Sequence, residues 1–249
     1  MKILVPLKRV PDADARIRLK PDGSGIDPEG LKFAVNPFDA IALEEALRQR
    51  EKIPGLEIIV ASIGGEEVIE QLRTGLAMGA DRAILIRSAV APDSLAVAKV
   101  LAALCRREKP DLVLMGKQAI DDDANQAGQM LAALLGIAQA TFVSRLELAG
   151  SRARCGRETD AGIETIEVSL PAVVTSDLRL NEPRYVSLPG IMKAKKKPLE
   201  EITAAALGVE VVSRTEILRL ELPPRRQAGV RVRSVDELIQ KLRVEAKVI

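Results

Sequence analysis

The segment Asp111-Leu-Val-Leu-Met-Gly-Lys-Gln-Ala-Ile-Asp-Asp-Asp-Ala-Asn-Gln-Ala-Gly-Gln129 carries a short apolar strand directly into a polar loop and a helix. The strand is predicted at Asp111–Met115 and the helix at Ala124–Leu135. Similar apolar strands are predicted at Lys2–Lys8, Leu56–Ser62 and Arg82–Arg87, with helices between them at Pro37–Glu51, Glu66–Met78 and Ser94–Glu108. Strands that alternate with helices of about 10–15 residues indicate right-handed βαβ units around a parallel sheet.

The pattern changes after residue 139. Thr141–Leu148 and Ile163–Leu170 alternate as antiparallel strands do, with the Gly- and Arg-rich Ser151–Gly162 as their connection, and Ala172–Thr175 completes or extends the sheet. A long stretch broken by prolines then leads to a terminal amphipathic helix at Ser234–Val244, capped by Ser234. The sequence therefore predicts one α/β domain with an extended C-terminal arm of the kind that wraps a partner.

Composition limits the possible functions. The chain has 249 residues, a net charge of +2 and 47% hydrophobic residues, which fits a globular protein and excludes a general nucleic-acid-binding field. No apolar run approaches about 18 residues, so membrane insertion is not expected. Met1 enters a strand at once without a signal peptide, and the two cysteines form no CxxC pair, so a reducing cytoplasm is the expected location.

The chain contains no histidine. Catalytic triads, Cys-His pairs and His-metal sites are therefore impossible within it, and no metal site is expected. Aromatic residues make up only 2% of the chain, which leaves little for stacking single-stranded nucleic acid. Any redox role requires a cofactor, which another subunit could hold.

Asn36-Pro37-Phe38-Asp39 opens the first predicted helix. Asn36 is a good N-cap, Pro37 suits the first turn, and Asp39 complements the helix dipole. These residues could simply begin a helix. They could also form the rim of a nucleotide pocket, with Phe38 near a ring system.

The polar loop after Asp111–Met115 follows the carboxyl end of a parallel strand, where open α/β sheets bind ligands. Gly116 permits close approach of the backbone, and free amides at the next helix can hold phosphate. Three aspartates, Asp121 to Asp123, would repel phosphate unless Asp123 caps the helix and the others face solvent, a metal or ribose hydroxyls. An ordinary capped helix is the alternative, since the loop matches neither a Walker motif nor GxGxxG.

Two other segments allow a structural and a functional interpretation. Arg157–Gly162 is either a charged hairpin turn or a place where Glu158 faces a cofactor across a subunit boundary. In Pro171–Pro198, prolines argue against regular helix, and an apolar cluster precedes a lysine run. Residues 183–199 carry five basic residues and no acidic one, which suits either a solvated face or docking to an acidic partner.

Five blocks occur in an order that closely resembles the β subunit of electron-transfer flavoproteins. They are Val5-Pro-Leu-Lys-Arg-Val10, Asn36-Pro-Phe38, Ala77-Met-Gly-Ala-Asp81, Gly116-Lys-Gln-Ala-Ile-Asp121 and Asp177-Leu-Arg-Leu-Asn-Glu-Pro-Arg-Tyr185. The resemblance covers nearly the whole chain. It implies a Rossmann-like, mostly parallel sheet flanked by helices in residues 1–176, including antiparallel strands in 141–175. Residues 177–249 would form a docking loop and an arm that wraps the α subunit.

The resemblance also implies the cofactors and their residues. The β subunit would bury structural AMP, while FAD would lie mainly on α, with Phe38 and Glu158 towards the flavin. The AMP site would comprise Pro6, Asn36, Pro37, Phe38, Asp39, Ile63, Gly116, Lys117, Gln118, Ala119, Ile120, Asp121, Asp122, Asp123, Ala124, Asn125, Gln126 and Ala127. Leu188 would anchor docking, beside Ile191, Met192, Lys193 and Lys196.

The implied function is that of an electron carrier rather than a stand-alone enzyme. The heterodimer would accept electrons from flavoprotein dehydrogenases of the acyl-CoA type and pass them to a membrane quinone oxidoreductase. An electron-bifurcating relative with FAD in the AMP position is one alternative, although Asp121–Gln129 fits the AMP-binding branch better. A universal-stress-type ATP-binding module is another, and an ATP-pyrophosphatase is a weaker third.

Overall fold

The computed structural model describes residues 1–224 and 228–249. The chain divides into two compact units. The first unit consists of Met1–Ile17 and Asp27–Ile217, and the second of Arg18–Ile26 and Leu218–Ile249. The first unit thus extends beyond residue 176, because the segment that follows packs on its helices and adds an edge strand.

The larger unit is an α/β fold whose strands and helices have the following bounds. They are β1 (Lys2–Pro6), β2 (Arg9–Pro11), β3 (Phe33–Val35), α1 (Pro37–Lys52), β4 (Glu57–Gly64), α2 (Ile69–Met78), β5 (Arg82–Arg87), α3 (Ser94–Glu108), β6 (Leu112–Gly116), α4 (Ala127–Leu135), β7 (Ala138–Ala149), β8 (Arg152–Thr159), β9 (Gly162–Ser169), β10 (Ala172–Ser176), α5 (Leu188–Ala194) and β11 (Leu199–Thr203). A 3₁₀ turn at Glu66–Val68 precedes α2.

The main sheet has the order β11-β5-β4-β1-β6-β10-β7-β8-β9. Strands from β11 to β7 are parallel, and β7, β8 and β9 are antiparallel. The predicted α/β class with a Rossmann-like, mostly parallel sheet is confirmed. β2 and β3 form a separate antiparallel ribbon.

Two apolar clusters hold the sheet between helices. One contains the buried faces of α1 and α2, and the other those of α3 and α4. Ile3, Leu4 and Val5 are completely buried because both faces of β1 are covered. This explains why the central strands are continuously apolar rather than alternating.

The chain changes direction across the sheet between β1 and β6. β4 and β5 lie on one side of β1, and the chain then returns through α3 to place β6 on its other side. This arrangement is a topological switch point, and the crevice outside its carboxyl ends is where open α/β folds bind ligands.

Several predicted elements need correction. Ser151–Gly162 is mostly the strand β8 rather than a connection, and β10 is an interior parallel strand rather than part of the antiparallel extension. The helix predicted from Ala124 begins at Ala127, because Asp123 and Asn125 have left-handed backbone angles (φ 53° and 49°).

The segment from 171 to 198, whose prolines argued against regular helix, contains the short helix α5. Pro189 occupies its first turn, where a missing amide hydrogen costs nothing. The ribbon β2–β3 and the edge strand β11 were not predicted, since both are short and partly polar.

The second unit contains a bridge between Leu19 and Ile26, a hydrogen bond from Leu220 N to Gly23 O (3.2 Å) and the helix α6 (Val235–Lys241). Ser234 caps α6 as predicted, accepting a hydrogen bond from Glu237 N, and a π-helical turn at Leu242–Ala246 continues it. Throughout the described parts of the chain, no helix has both the length and the apolar character needed to cross a bilayer.

Candidate functional site

The start of α1 lies against the loop that follows β6. Asn36 occupies the N-cap position, and its side chain makes no capping bond. Instead, Asn36 Nδ2 donates to Gln118 O (2.9 Å), and Asn36 Oδ1 accepts from Ile120 N (3.3 Å). The residue therefore begins the helix and also holds the polar loop in place.

Asp39 joins the same region to β1. Its Oδ2 accepts from Lys8 N (2.8 Å) and its Oδ1 from Gly116 N (3.0 Å). Burial raises the pKa of Asp39 to about 7, although these amides, the Asn36 side chain and the charge of Lys8 all favour the carboxylate. Asp39 is thus poised to change charge near neutral pH.

We name residues 116–126 the switch-point loop. A Cβ on Gly116 would lie 2.6 Å from both Asp39 Oδ1 and Phe38 Cβ, so the loop can begin here only with glycine. Asp123 does not cap α4 as predicted. Its left-handed backbone directs the carboxylate back into the loop, where Oδ1 accepts from Gln118 Nε2 (2.5 Å).

Lys8 compensates the negative charge of this loop. Its ammonium lies 2.7 Å from Asp121 Oδ1 and 2.9 Å from Asp122 Oδ2. Burial lowers the pKa of Lys8, but hydrogen bonds to the two carboxylates outweigh that effect and raise it. The aspartates therefore face a cation of the same chain, which removes much of their repulsion towards a phosphate.

One buried polar atom near the loop remains unsatisfied. Gln129 Nε2 donates to Asn125 Oδ1 (2.9 Å), whereas Gln129 Oε1 is buried without a hydrogen-bond partner among the described residues. Such an acceptor suits a ligand hydroxyl or amine. Beside it, the first turn of α4 directs backbone amides outward, which favours an anion.

Two aromatic rings lie near Lys117, the second residue of the loop. Lys117 Nζ lies 4.8 Å from the centre of the Phe142 ring and 5.6 Å from that of Phe38, and it donates to Asp177 Oδ2 (2.7 Å). Phe142 was not predicted as a site residue. Its backbone is left-handed (φ 58°), a strained conformation for an aromatic residue that is concentrated at functional sites.

Comparisons with known proteins agree with this geometry. Residues 25–207 match the model of the electron transfer flavoprotein domain. The chain is 54% identical over its full length to the electron transfer flavoprotein subunit beta of Bradyrhizobium diazoefficiens, with all of that protein covered. It is 53% identical to the mitochondrial subunit beta of Arabidopsis thaliana, again with both chains fully covered. It is 49% identical to the Homo sapiens subunit beta, covering 98% of this chain and 97% of that one.

This chain belongs to the electron transfer flavoprotein β-subunit family. Both of these matches extend along the whole length of the two chains compared. The resemblance first inferred from five sequence blocks is confirmed.

The remaining residues that were predicted to contact a cofactor lie on strands of the main sheet. Pro6 ends β1, and Ile63 lies near the end of β4, both at carboxyl ends. Glu158 is on β8, where Arg179 Nη1 donates to its Oε2 (2.7 Å). Of the two interpretations of Arg157–Gly162, the hairpin turn holds only for Asp160 and Ala161, since β8 runs to Thr159 and β9 begins at Gly162.

The residues predicted to dock a partner lie on α5 and just after it. Leu188 is 79% exposed and Met192 is 71% exposed, while Ile191 is less so. Lys193, Lys195 and Lys196 are exposed beside them. Two of the five basic residues instead have structural roles. Lys197 Nζ donates to Leu76 O (3.1 Å) and Ala80 O (2.6 Å), and Arg184 pairs with Glu44.

Proposed function

We propose that this chain is the β subunit of a heterodimeric electron carrier that holds structural AMP and helps to enclose FAD carried mainly by an α subunit. The heterodimer would take electrons from acyl-CoA-type and related flavoprotein dehydrogenases and deliver them to a membrane quinone oxidoreductase. One observation carries the proposal. In a chain of this family, the loop at the switch point begins at a glycine that has no room for a side chain, and Lys8 compensates the negative charge of the loop.

The residues of the loop fit AMP. Backbone amides at the start of α4 would receive the phosphate, and Gln129 Oε1, otherwise unpaired, would accept from a hydroxyl or amine of the nucleoside. Lys8 neutralises Asp121 and Asp122, so an anion can enter. Asn36 holds the loop in place by donating to Gln118 O.

The side of the site that carries the two phenylalanines suits a flavin. FAD would supply the electron-accepting and electron-donating chemistry. Phe142 is partly exposed and Phe38 is buried, with the Lys117 ammonium near both rings, and Glu158 is oriented by Arg179. These residues would exclude water from one side of the flavin.

The C-terminal arm suits the α subunit as its partner. Within the second unit, large apolar side chains are exposed, among them Leu218, Val230, Val235 and Val244. Exposed apolar side chains in such number within one unit suit burial against a partner. Residues 177–249 would thus provide the docking loop first and the arm that wraps α afterwards.

The ligands of the co-purified complex test this assignment. After co-expression with the α subunit, we expect a yellow heterodimer that releases about one FAD and one AMP on denaturation. Two FAD molecules and no AMP would instead indicate an electron-bifurcating carrier. A stable, ATP-loaded homodimer of this chain alone would indicate a universal-stress-type module.

A substitution at Leu188 tests the docking role. Leu188→Ala removes an apolar side chain that makes little contribution to the core, so FAD content should not change while electron acceptance from a dehydrogenase slows by about tenfold or more. Leu134→Ala, on α4, is the matched control, since Leu134 is also exposed. Loss of FAD from Leu188→Ala would show that the segment is structural instead.

A further inference from the structure

The carboxyl ends of β1 and β6 are held together by a side chain rather than by the sheet. Pairing between these strands covers Ile3↔Leu112 and Leu4↔Val113, near their starts. Further along, Asp39 reaches between them from α1, with Oδ2 on the amide of Lys8 and Oδ1 on the amide of Gly116. One carboxylate therefore bridges the gap that forms the crevice.

We propose that Asp39 is a positioning residue that braces β1 against β6 and thereby fixes the start of the switch-point loop, without itself contacting the nucleotide. This inference rests on the proposed AMP site. Asp39 is only 6% exposed, and each of its oxygens already accepts a backbone amide. The resemblance placed Asp39 among the AMP-binding residues, and the structure assigns it a role through Gly116 instead.

The two lysines near Asp39 are already paired with other carboxylates, so the charge state of Asp39 depends mainly on its own hydrogen bonds. From the loop after β1, Lys8 acts on it, but the Lys8 ammonium is paired with Asp121 and Asp122. From the end of β6, the Lys117 ammonium is held by Asp177. The neutral Asn36 side chain and the two amides are the other groups that favour the carboxylate.

Protonation weakens this brace. A proton on either oxygen removes the negative charge that both amides bind and occupies part of one acceptor. Because burial raises the pKa of Asp39 to about 7, the brace is strongest above neutral pH and weakens as the pH falls through about 7. Nucleotide affinity should follow the same course.

The first experiment measures AMP binding to the nucleotide-stripped heterodimer at pH 6 and pH 8. Between these values the wild type should lose about tenfold more affinity than Asp39→Asn, which carries no titrating group at this position. The second ionisation of the AMP phosphate affects both proteins equally and cancels in the comparison. Asp111→Asn should behave like the wild type. Parallel profiles for the wild type and Asp39→Asn would overturn the proposal.

Asp111 is a useful control because it also binds a backbone amide across the same two strands. Its Oδ2 accepts from Lys2 N (2.7 Å) at the amino ends of β1 and β6, far from the crevice. Any general effect of losing an aspartate between these strands should therefore appear in both variants.

A second measurement does not involve nucleotide. Hydrogen exchange of residues 116–127, followed by mass spectrometry at pH 8, should accelerate by about tenfold in Asp39→Ala and remain unchanged in Asp111→Ala. Equal exchange in the two variants would refute the brace. Failure of the wild type to bind AMP at either pH would contradict the proposed function, while the exchange result would still decide the role of Asp39.

Discussion

Arg184 holds Glu44 through two nitrogens, with Nε 2.7 Å from Oε2 and Nη2 3.0 Å from Oε1. Glu44 is buried on α1, and Arg184 lies in the segment that leads into α5. A planar guanidinium that meets a carboxylate in this way fixes orientation as well as distance. Helix α1 therefore contacts the switch-point loop through Asn36 at its start and the segment before α5 through Glu44.

Removing this contact should destabilise the protein. Arg184→Ala leaves Glu44 buried with Arg48 as its other cation, and we expect a loss of about 2–3 kcal/mol of unfolding free energy in urea. Arg184→Lys should recover only part of the loss, since an ammonium cannot make the paired contact. Arg152→Ala is the matched control, because the Arg152–Glu167 pair is exposed and is worth at most about 1 kcal/mol. Equal losses in the two alanine variants would contradict the assignment.

The same pair predicts a pH dependence. Burial alone would raise the pKa of Glu44, but hydrogen bonds from Arg184 and Arg48 outweigh it and hold the pKa below its ordinary value of 4.5. A lowered pKa in the folded state gives stabilisation that is present above 4.5 and is lost as the pH falls through the folded value. Urea titrations should therefore show the gap between wild type and Arg184→Ala narrowing below about pH 4.5. A constant gap down to pH 3 would mean that the charge of Glu44 is not involved.

The adjacent residues Lys196 and Lys197, which follow α5, should respond differently to substitution. Lys197 caps the last turn of α2 through Leu76 O and Ala80 O, whereas Lys196 is exposed. We expect Lys197→Ala to lower the melting temperature by several degrees, because two carbonyls lose a charged donor. Lys196→Ala should leave the melting temperature unchanged and slow association with a dehydrogenase more strongly at low salt. If Lys196→Ala lowered the melting temperature and Lys197→Ala slowed association instead, these two roles would be refuted.

The sequence predicted the parallel core well because its signals are local. The strands around Ile3 and Val113 are apolar on both faces, and the helix at Ser94–Glu108 has the predicted bounds, with Asp93 as its N-cap. The polar loop after Met115 was found from its position after a strand. These features depend on neighbours in the chain, which a single sequence displays.

The missed features depend on contacts between distant segments. No local pattern shows that Asp39 receives the amides of Lys8 and Gly116, or that Phe142 adopts a left-handed backbone beside Lys117. Lys197 could not be separated from its neighbours in the lysine run, because its role depends on the end of α2. The sequence did offer one indication of Phe142. The chain has only three phenylalanines and one tyrosine, so each aromatic residue is a candidate for contact with a ring-shaped ligand.

Lys8 should control the charge of the switch-point loop. Lys8→Met leaves Asp121 and Asp122 uncompensated near the expected phosphate, so AMP affinity should fall by about tenfold or more, measured by calorimetry on the heterodimer. Replacing both aspartates with asparagine in the Lys8→Met background should restore most of the affinity, because the repulsion is removed together with its compensation. Failure of this rescue would show that Lys8 itself contacts the nucleotide.

Gly116 should tolerate no side chain. In Gly116→Ala the added Cβ would lie 2.6 Å from Asp39 Oδ1 and 2.9 Å from the backbone carbon of Phe38, so either the brace or the start of α1 must shift. We expect a loss of about 1–3 kcal/mol of unfolding free energy together with weakened AMP binding. Gly25→Ala is the matched control, because a Cβ there meets no atom within 4 Å and its backbone is not left-handed. If Gly116→Ala were as stable as Gly25→Ala, the close approach of α1 to the end of β6 could not be the reason for glycine at this position.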